Sequence, residues 1–305
     1  MAIPESQLEI WSHQGAVQSS ANTHKSVVNC INKISWKSDV RYETYLQGSY
    51  PNYTNIYGNS DVDLVVEFRS IFSKNLSALD ESQKQAFDVN YSDAKYSLES
   101  FKASIVKQLK SCYGEGNVVI GNKAILVKGD SNRLDCDVIV CNPYRKYISY
   151  LPYTEKYIEG IIFRTEHEMP NRSIINYPKI HLKNGSIKNQ SENTFGNFKP
   201  TVRVFKNMKA TMVNRGYIHK KLAPSYFLEC LIYNSDNINF RKNAYNEIAI
   251  SIINQFDRDL KNGMMINYLV QNEQDKLFGT SDLQWNIEDA TTFVTQLIKF
   301  WNEYK

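Results

Sequence analysis

Apolar side chains recur along this chain with two different periods, and the change from one to the other divides it. A helical period runs first, through Leu8, Trp11, Val17, Val27, Val28 and Ile31, and predicts helix over residues 4–32 with a break near Gly15. Alternation then takes over. Residues 41–47 and 61–68 read as strands joined by a polar, Tyr- and Asn-rich loop over 50–59. Residues 69–90 are polar and loosely patterned. Residues 91–111 carry Leu98, Phe101, Ile105, Val106 and Leu109 at helical spacing. Two β-branched runs, 117–127 and 133–141, predict an antiparallel hairpin about the turn at 128–132, and 160–164 with 173–177 predict a second extended pair.

From about Lys183 the helical period returns, at 201–213, Ser225–Tyr233, 244–256 and 287–301. Strands early and helices late predict an α+β fold. The expected division is a sheet lobe with its N-terminal helix over 1–185 and a helical domain over 186–305.

The chemistry lies where the strands begin. Gln47-Gly48-Ser49-Tyr50 ends the first strand, and Ser60-Asp61-Val62-Asp63-Leu64-Val65-Val66 opens the second. Side chains at i and i+2 leave a strand on the same face, so Asp61 and Asp63 point together while Val62, Leu64 and Val66 pack on the other side. Paired carboxylates at the edge of a core repel, and a cation relieves them. A small Gly-Ser turn just ahead lets backbone and hydroxyl approach a triphosphate. Leu134-Asp135-Cys136-Asp137-Val138-Ile139-Val140 repeats the pattern of acids leading into an apolar strand and offers a third carboxylate.

Asp135 and Asp137 share a face, but Asp137 precedes its apolar run as Asp63 does, whereas Asp135 lies one pleat further out beside Arg133. Asp137 is therefore the expected third ligand. Three carboxylates with triphosphate oxygens suit two Mg²⁺ or Mn²⁺ ions, which take oxygen ligands. Such ions activate an attacking ribose hydroxyl and neutralise the leaving pyrophosphate.

Composition narrows the reading. The 305 residues, 42% hydrophobic and 22% charged, describe an ordinary soluble protein, and a net charge of +4 suits local phosphate patches rather than a long nucleic-acid track. No apolar run is long enough to cross a bilayer, and Met1-Ala2-Ile3-Pro4-Glu5-Ser6 lacks signal-peptide character, so a cytoplasmic protein is expected. The five cysteines, Cys30, Cys112, Cys136, Cys141 and Cys230, form no Cys-x-x-Cys pair and read as buried reduced thiols.

Leu46-Gln47-Gly48-Ser49-Tyr50, Asn55-Ile56-Tyr57-Gly58, the Asp61/Asp63 motif and Asp137-Val138-Ile139-Val140-Cys141-Asn142-Pro143-Tyr144-Arg145 together resemble the bacterial CD-NTases. These are cyclic-oligonucleotide synthases of CBASS anti-phage defence, related to cyclic GMP-AMP synthase and oligoadenylate synthase within the polymerase β-type nucleotidyltransferases. Many relatives carry Pro where this chain has Val140; the difference alters a strand end and removes no ligand.

The resemblance implies an active site in the cleft between the lobes, with Asp61, Asp63 and Asp137 as catalytic metal ligands and Gly48 and Ser49 on the triphosphate. It implies that nucleoside triphosphates (ATP, GTP, UTP or CTP) are condensed into a cyclic di- or trinucleotide. A separate effector protein would read that product, with no membrane and no obligatory long nucleic acid involved.

On the helical side the resemblance matches Lys206, in the basic helix Arg203-Val204-Phe205-Lys206, and Ser225, at the start of Pro224-Ser225-Tyr226, to phosphate-binding positions. By residue type alone, Lys206 reads equally as a solvated cation and Ser225 as an N-cap. Asn176, Tyr177, His181 and Asn184 are candidates to line base pockets, with His181 a structural histidine by default. Two rival readings use the same strands: transfer of one nucleotide to an RNA end, a small molecule or a protein, and an inactive nucleotide-binding scaffold.

Overall fold

The computed structural model describes residues 3–15, 17–58, 61–92, 94–151, 154–281 and 283–304. Ser60, at the head of the first acidic motif, and Asn59, at the end of its loop, lie outside the described residues, as do Met1 and Ala2. In chain order the elements are α1 (Glu5–Ser12), α2 (Gln18–Ile31), β1 (Tyr42–Gln47), β2 (Val62–Phe68), β3 (Ser73–Asn75), α3 (Glu81–Asn90) and α4 (Leu98–Tyr113). Then come β4 (Val118–Ile120), β5 (Ile125–Val127), β6 (Cys136–Leu151), β7 (Thr154–Arg164) and β8 (Ser173–Asn176). The helices α5 (Pro178–Lys188), α6 (Ser191–Thr194), α7 (Phe198–Asn214), α8 (Ser225–Tyr233), α9 (Asn237–Phe240), α10 (Tyr245–Lys261) and α11 (Ile287–Glu303) complete the chain. No helix among the described residues is long and apolar enough to cross a membrane.

The chain forms two compact units, one of residues 17–48 and 61–178, the other of residues 1–16, 49–60 and 179–305. The expected break at 185/186 thus falls at 178/179, because α5 begins at Pro178, and the first sixteen residues and the 49–60 loop group with the helices. Two elements within the polar 69–90 stretch were not expected. α3 starts where the Asp80 side chain accepts the Gln83 N–H as an N-cap, and β3 pairs with β6.

The sheet unit is built around β6. Its first half runs parallel to β2 and antiparallel to β5, and its second half pairs with β7 and β3. Residues 117–127 fold back as their own hairpin, β4 with β5, in addition to the expected pairing across the 128–132 turn. Pro143 falls where β2 has ended, at Glu67 opposite Cys141, and β3 has yet to begin, at Ser73 opposite Tyr144. A residue with no N–H is tolerated at such a gap, so β6 runs on for 16 residues.

Val62, Leu64 and Val66 are fully buried, as the alternation predicts. Phe68 stacks on Phe101 of α4 at 4.3 Å, and Phe101 in turn on Trp36 at 4.8 Å. On the other face Val65, Ile139, Cys141, Ile161, Phe163 and Ile174 form a second cluster.

One cysteine expectation is overturned. Cys30 of α2 and Cys112 of α4 are joined in a disulfide, their Cα atoms 6.3 Å apart. The two helices pack side by side, a proximity no Cys spacing in the sequence announces. Cys136, Cys141 and Cys230 are buried free thiols, as expected.

In the helical unit, α7, α8, α10 and α11 surround one apolar core containing Phe205, Leu228, Phe256 and Phe293. α1 is tied into it by polar contacts. The Glu5 carboxylate accepts the Tyr245 and Asn246 N–H groups (2.6 and 2.8 Å), supplying the side-chain cap that Ala244 at the N-cap of α10 cannot. Asn207 donates to Trp11 O and Arg203 to Ser12 O.

Candidate active site

Alternation along β2 and the parallel register with β6 set the acids of the sheet unit. Asp63 stands directly opposite Asp137 on the neighbouring parallel strand, flanked by the pairs Val62 with Cys136 and Leu64 with Val138. Both acids are half-buried, while Asp61, just ahead of β2, is exposed. The expected equivalence of Asp63 and Asp137 in depth therefore holds.

Burial and neighbouring like charges set the electrostatics of Asp137. Burial first, then the charges of Asp61 and Asp135, push the Asp137 carboxyl above its ordinary value. The neighbouring Cys136 thiol is pushed up to about 12, by burial and then by Asp137 and Asp63. Among the described residues no three His, Cys, Asp or Glu side chains converge closely enough to cage a metal ion unaided. The donors present are nonetheless all oxygen, and the excess charge is of the kind a hard divalent cation relieves. In donor type and register the residues fit such an ion.

Gly48 has a specific reason to be glycine. Its φ is +75°, and a Cβ there would lie 2.1 Å from Asp63 Oδ2. Gly48 follows Gln47, the cross-strand partner of Asp63, so the turn packs directly on the acid. Backbone shape and carboxylate position are thus one constraint.

Asp135 is held differently from the sequence expectation. Its Oδ1 accepts the Gly129 N–H at 2.7 Å, while Arg133 pairs with Asp130 at 2.7 Å, so a backbone amide and not Arg133 is its partner. Asp135 is still committed to the turn ahead of β6.

Of the remaining candidates, Asn176 and Tyr177 belong to the sheet unit, and Ser49, His181, Asn184, Lys206 and Ser225 to the helical unit. Ser49, half-buried, accepts the Thr54 N–H on its carbonyl at 2.9 Å. Ser225 is exposed and opens the nine-residue α8; the N-cap position belongs to Pro224, so Ser225 is the first helical residue and makes no side-chain cap.

Lys206 departs furthest from expectation. It is 5% exposed, neither a solvated cation nor a free hand for a phosphate. Its Nζ donates to Glu229 Oε2 (3.1 Å), Thr54 O (3.1 Å) and Thr54 Oγ1 (3.2 Å), which uses all three ammonium hydrogens. The reason is Glu229, buried in α8, whose charge requires a partner there.

Glu229 and Thr54 are the residues that sequence reasoning missed. Glu229 is the sole acid in the otherwise apolar helix Ser225-Tyr226-Phe227-Leu228-Glu229-Cys230-Leu231-Ile232-Tyr233, and that isolation was the available signal. Its Oε2 also accepts from Thr54 Oγ1 at 2.9 Å, and its Oε1 lies 3.0 Å from His181 Nε2. His181 is accordingly a buried, partnered histidine, with its ring stacked on Tyr226 at 5.4 Å. Burial alone would raise the Glu229 carboxyl; Lys206, then His181 and Thr54, hold it down at about 2.

Comparison with known proteins finds the same architecture. Residues 183–302 match the model of the cGAS/DncV-like nucleotidyltransferase C-terminal helical domain. The chain is 40% identical over 301 residues to a cyclic UMP-AMP synthase of Rhodothermus marinus, covering 99% of this chain and 98% of that one. It is 38% identical over 309 residues to the cyclic nucleotide synthase CdnE01 of Staphylococcus haemolyticus, covering both in full. The solved structure of the Rhodothermus marinus CdnE c-UMP-AMP synthase with Apcpp and Upnpp superposes with a TM-score of 0.86, covering 99% of this chain and 97% of that chain.

Proposed function

The chain belongs to the bacterial CD-NTase family of nucleotidyltransferases, and from that premise we propose that it condenses nucleoside triphosphates into a cyclic dinucleotide, releasing pyrophosphate at each transfer. The observation that carries the reading to particular residues is the parallel pairing of β2 with β6, which aligns Asp63 with Asp137, together with Gly48 packed on Asp63. Asp61, Asp63 and Asp137 would hold two Mg²⁺ or Mn²⁺ ions, which supply charge neutralisation for the triphosphate and favour loss of the proton from an attacking ribose hydroxyl. The chain's own part is position and charge. Gly48 lets the turn approach without a side chain, and Ser49 offers a hydroxyl and an amide to phosphate oxygens. The exposed N-terminus of α8 at Ser225 suits an anion. Lys206 would meet a phosphate oxygen only by exchanging one of its three present partners for it.

ATP with UTP is the substrate pair to try first, because the Rhodothermus relative is a cyclic UMP-AMP synthase. Relatives at 31% and 32% identity make cyclic dipurine and dipyrimidine nucleotides, so base choice varies within the family and all four triphosphates belong in the assay. The product would be read by an effector protein in anti-phage signalling. Thin-layer separation of labelled products formed with Mg²⁺ or Mn²⁺ tests the proposal. A phosphatase-resistant product dependent on metal is expected. A phosphatase-sensitive oligomer would indicate a linear polymerase, and no turnover with any mixture would favour the inactive scaffold.

A further inference from the structure

The 49–58 loop is polar, yet Asn52, Thr54 and Asn55 within it are at most 5% exposed. Three consecutive residues pin it to the helical unit. Arg203 donates to Tyr53 O, Lys206 and Glu229 hold Thr54, and Gln14 Nε2 donates to Asn55 Oδ1 at 2.7 Å while the Gly15 N–H reaches Asn55 O at 3.1 Å. Of these anchors the one at Thr54 alone involves paired, fully buried charges. It is also the one joined to Ser49, because the Thr54 N–H closes the turn by donating to the Ser49 carbonyl.

A buried carboxylate and ammonium tolerate little displacement, since neither has water to replace a lost partner. We propose that Glu229 is a positioning residue for nucleotide binding: its carboxylate fixes Thr54 Oγ1 and Lys206 Nζ together, and through Thr54 it sets the backbone of the Ser49 turn. The inference rests on the reading that Ser49 meets the triphosphate. Glu229 itself touches no substrate in this scheme. Its second oxygen is occupied by His181 Nε2, which leaves the carboxylate no freedom to rotate away from Thr54 and Lys206. The Glu229 carboxyl, held at about 2, stays ionised at every pH at which the enzyme would work.

Four variants of the full chain test this, each first checked for folding by circular dichroism: Glu229→Gln, Thr54→Val, Thr54→Ser and Ser49→Ala. Initial rates over a range of ATP and UTP separate KM from kcat, and amide hydrogen exchange reads the Thr54 N–H directly. Glu229→Gln and Thr54→Val are expected to raise the nucleotide KM about tenfold or more, the scale of one lost charge-assisted hydrogen bond, with a smaller change in kcat. Both are expected to speed exchange at the Thr54 amide. Thr54→Ser, which keeps the hydroxyl, restores KM and protection. Ser49→Ala raises KM without altering exchange at Thr54.

Folded Glu229→Gln and Thr54→Val proteins with unchanged KM and unchanged Thr54 protection overturn the positioning role. Ser49→Ala with an unchanged KM, while Glu229→Gln still loosens the amide and raises KM, overturns instead the contact between Ser49 and the triphosphate.

Discussion

The sheet unit and the helical unit each gather ionisable groups, and they treat the charge in opposite ways. At the head of β2 and β6, burial and then the like charges of Asp61 and Asp135 raise the Asp137 carboxyl, with Asp63 opposite it on the neighbouring strand. In the helical unit Glu229 is buried far more deeply, yet Lys206, His181 and Thr54 satisfy it and its carboxyl falls to about 2. The first arrangement is costly to the isolated protein and suited to a cationic ligand. The second pairs opposite charges and is suited to holding a loop still. Like charges gathered at a strand head suit a cationic ligand, whereas opposite charges paired in the core hold shape.

Substitutions that remove charge should therefore act oppositely in the two regions. The largest effect is expected at Asp137. Asp137→Asn should lower turnover by at least ~10²–10³-fold, the scale of losing one preorganised charge-stabilising group. It should leave thermal stability of the metal-free protein unchanged or slightly higher, because a repelled carboxylate has gone. Steady-state rates and a melting curve check both halves, and a clear loss of Tm would place Asp137 among the structural acids.

Next in size is Lys206→Ala. It strands Glu229 in the core and should cost about 3–5 kcal/mol of folding stability, far more than loss of a solvated cation would. Urea unfolding measures it. The same pair makes the wild-type protein sensitive to acid. The Glu229 pKa of about 2 lies below the ordinary glutamate value of about 4.3, so its contribution is present above that value and is lost as pH falls toward 2.

Gly48→Ala follows, expected to cost about 1–3 kcal/mol for a side chain at positive φ and to displace Asp63, so that activity falls more than stability does. The smallest effect is expected at Asp135→Asn. The amide oxygen can still accept the Gly129 N–H, so stability should change by no more than about 1 kcal/mol and turnover should stay of the same order. If Asp135→Asn were as damaging as Asp137→Asn, the register of the site along β6 would be displaced by one pleat.

The two regions also differ in how far the sequence discloses them. The acids were legible because a strand alternates with a period of two, so Asp61 and Asp63, then Asp137, could be placed by counting, and the Gly48 turn was visible beside them. Helices α7, α8, α10 and α11 were legible from their apolar faces. The Lys206–Glu229 pair was not, since a lysine in a basic helix looks solvated until the acid that buries it is found 23 residues away on another helix. Residues 142–151 were hidden by Asn142-Pro143, which reads as a strand end and continues because β7 pairs along it while β2 gives way to β3 on the other side. The Cys30–Cys112 bridge depends on helix packing across a separation of 82 residues, which local pattern does not encode.

The interleaving of the two units bears on how the chain is made. Residues 3–15 leave the ribosome before the rest of the described residues, yet the partners of Glu5, Trp11 and Ser12 are Tyr245, Asn246, Asn207 and Arg203. The opening helix must wait unpartnered through the synthesis of some two hundred residues, while β1 to β8 assemble from a contiguous stretch interrupted only by the 49–60 loop. Vectorial synthesis thus favours the sheet unit as the earlier-folding body, and completion of the helical unit waits until α10 and α11 have emerged.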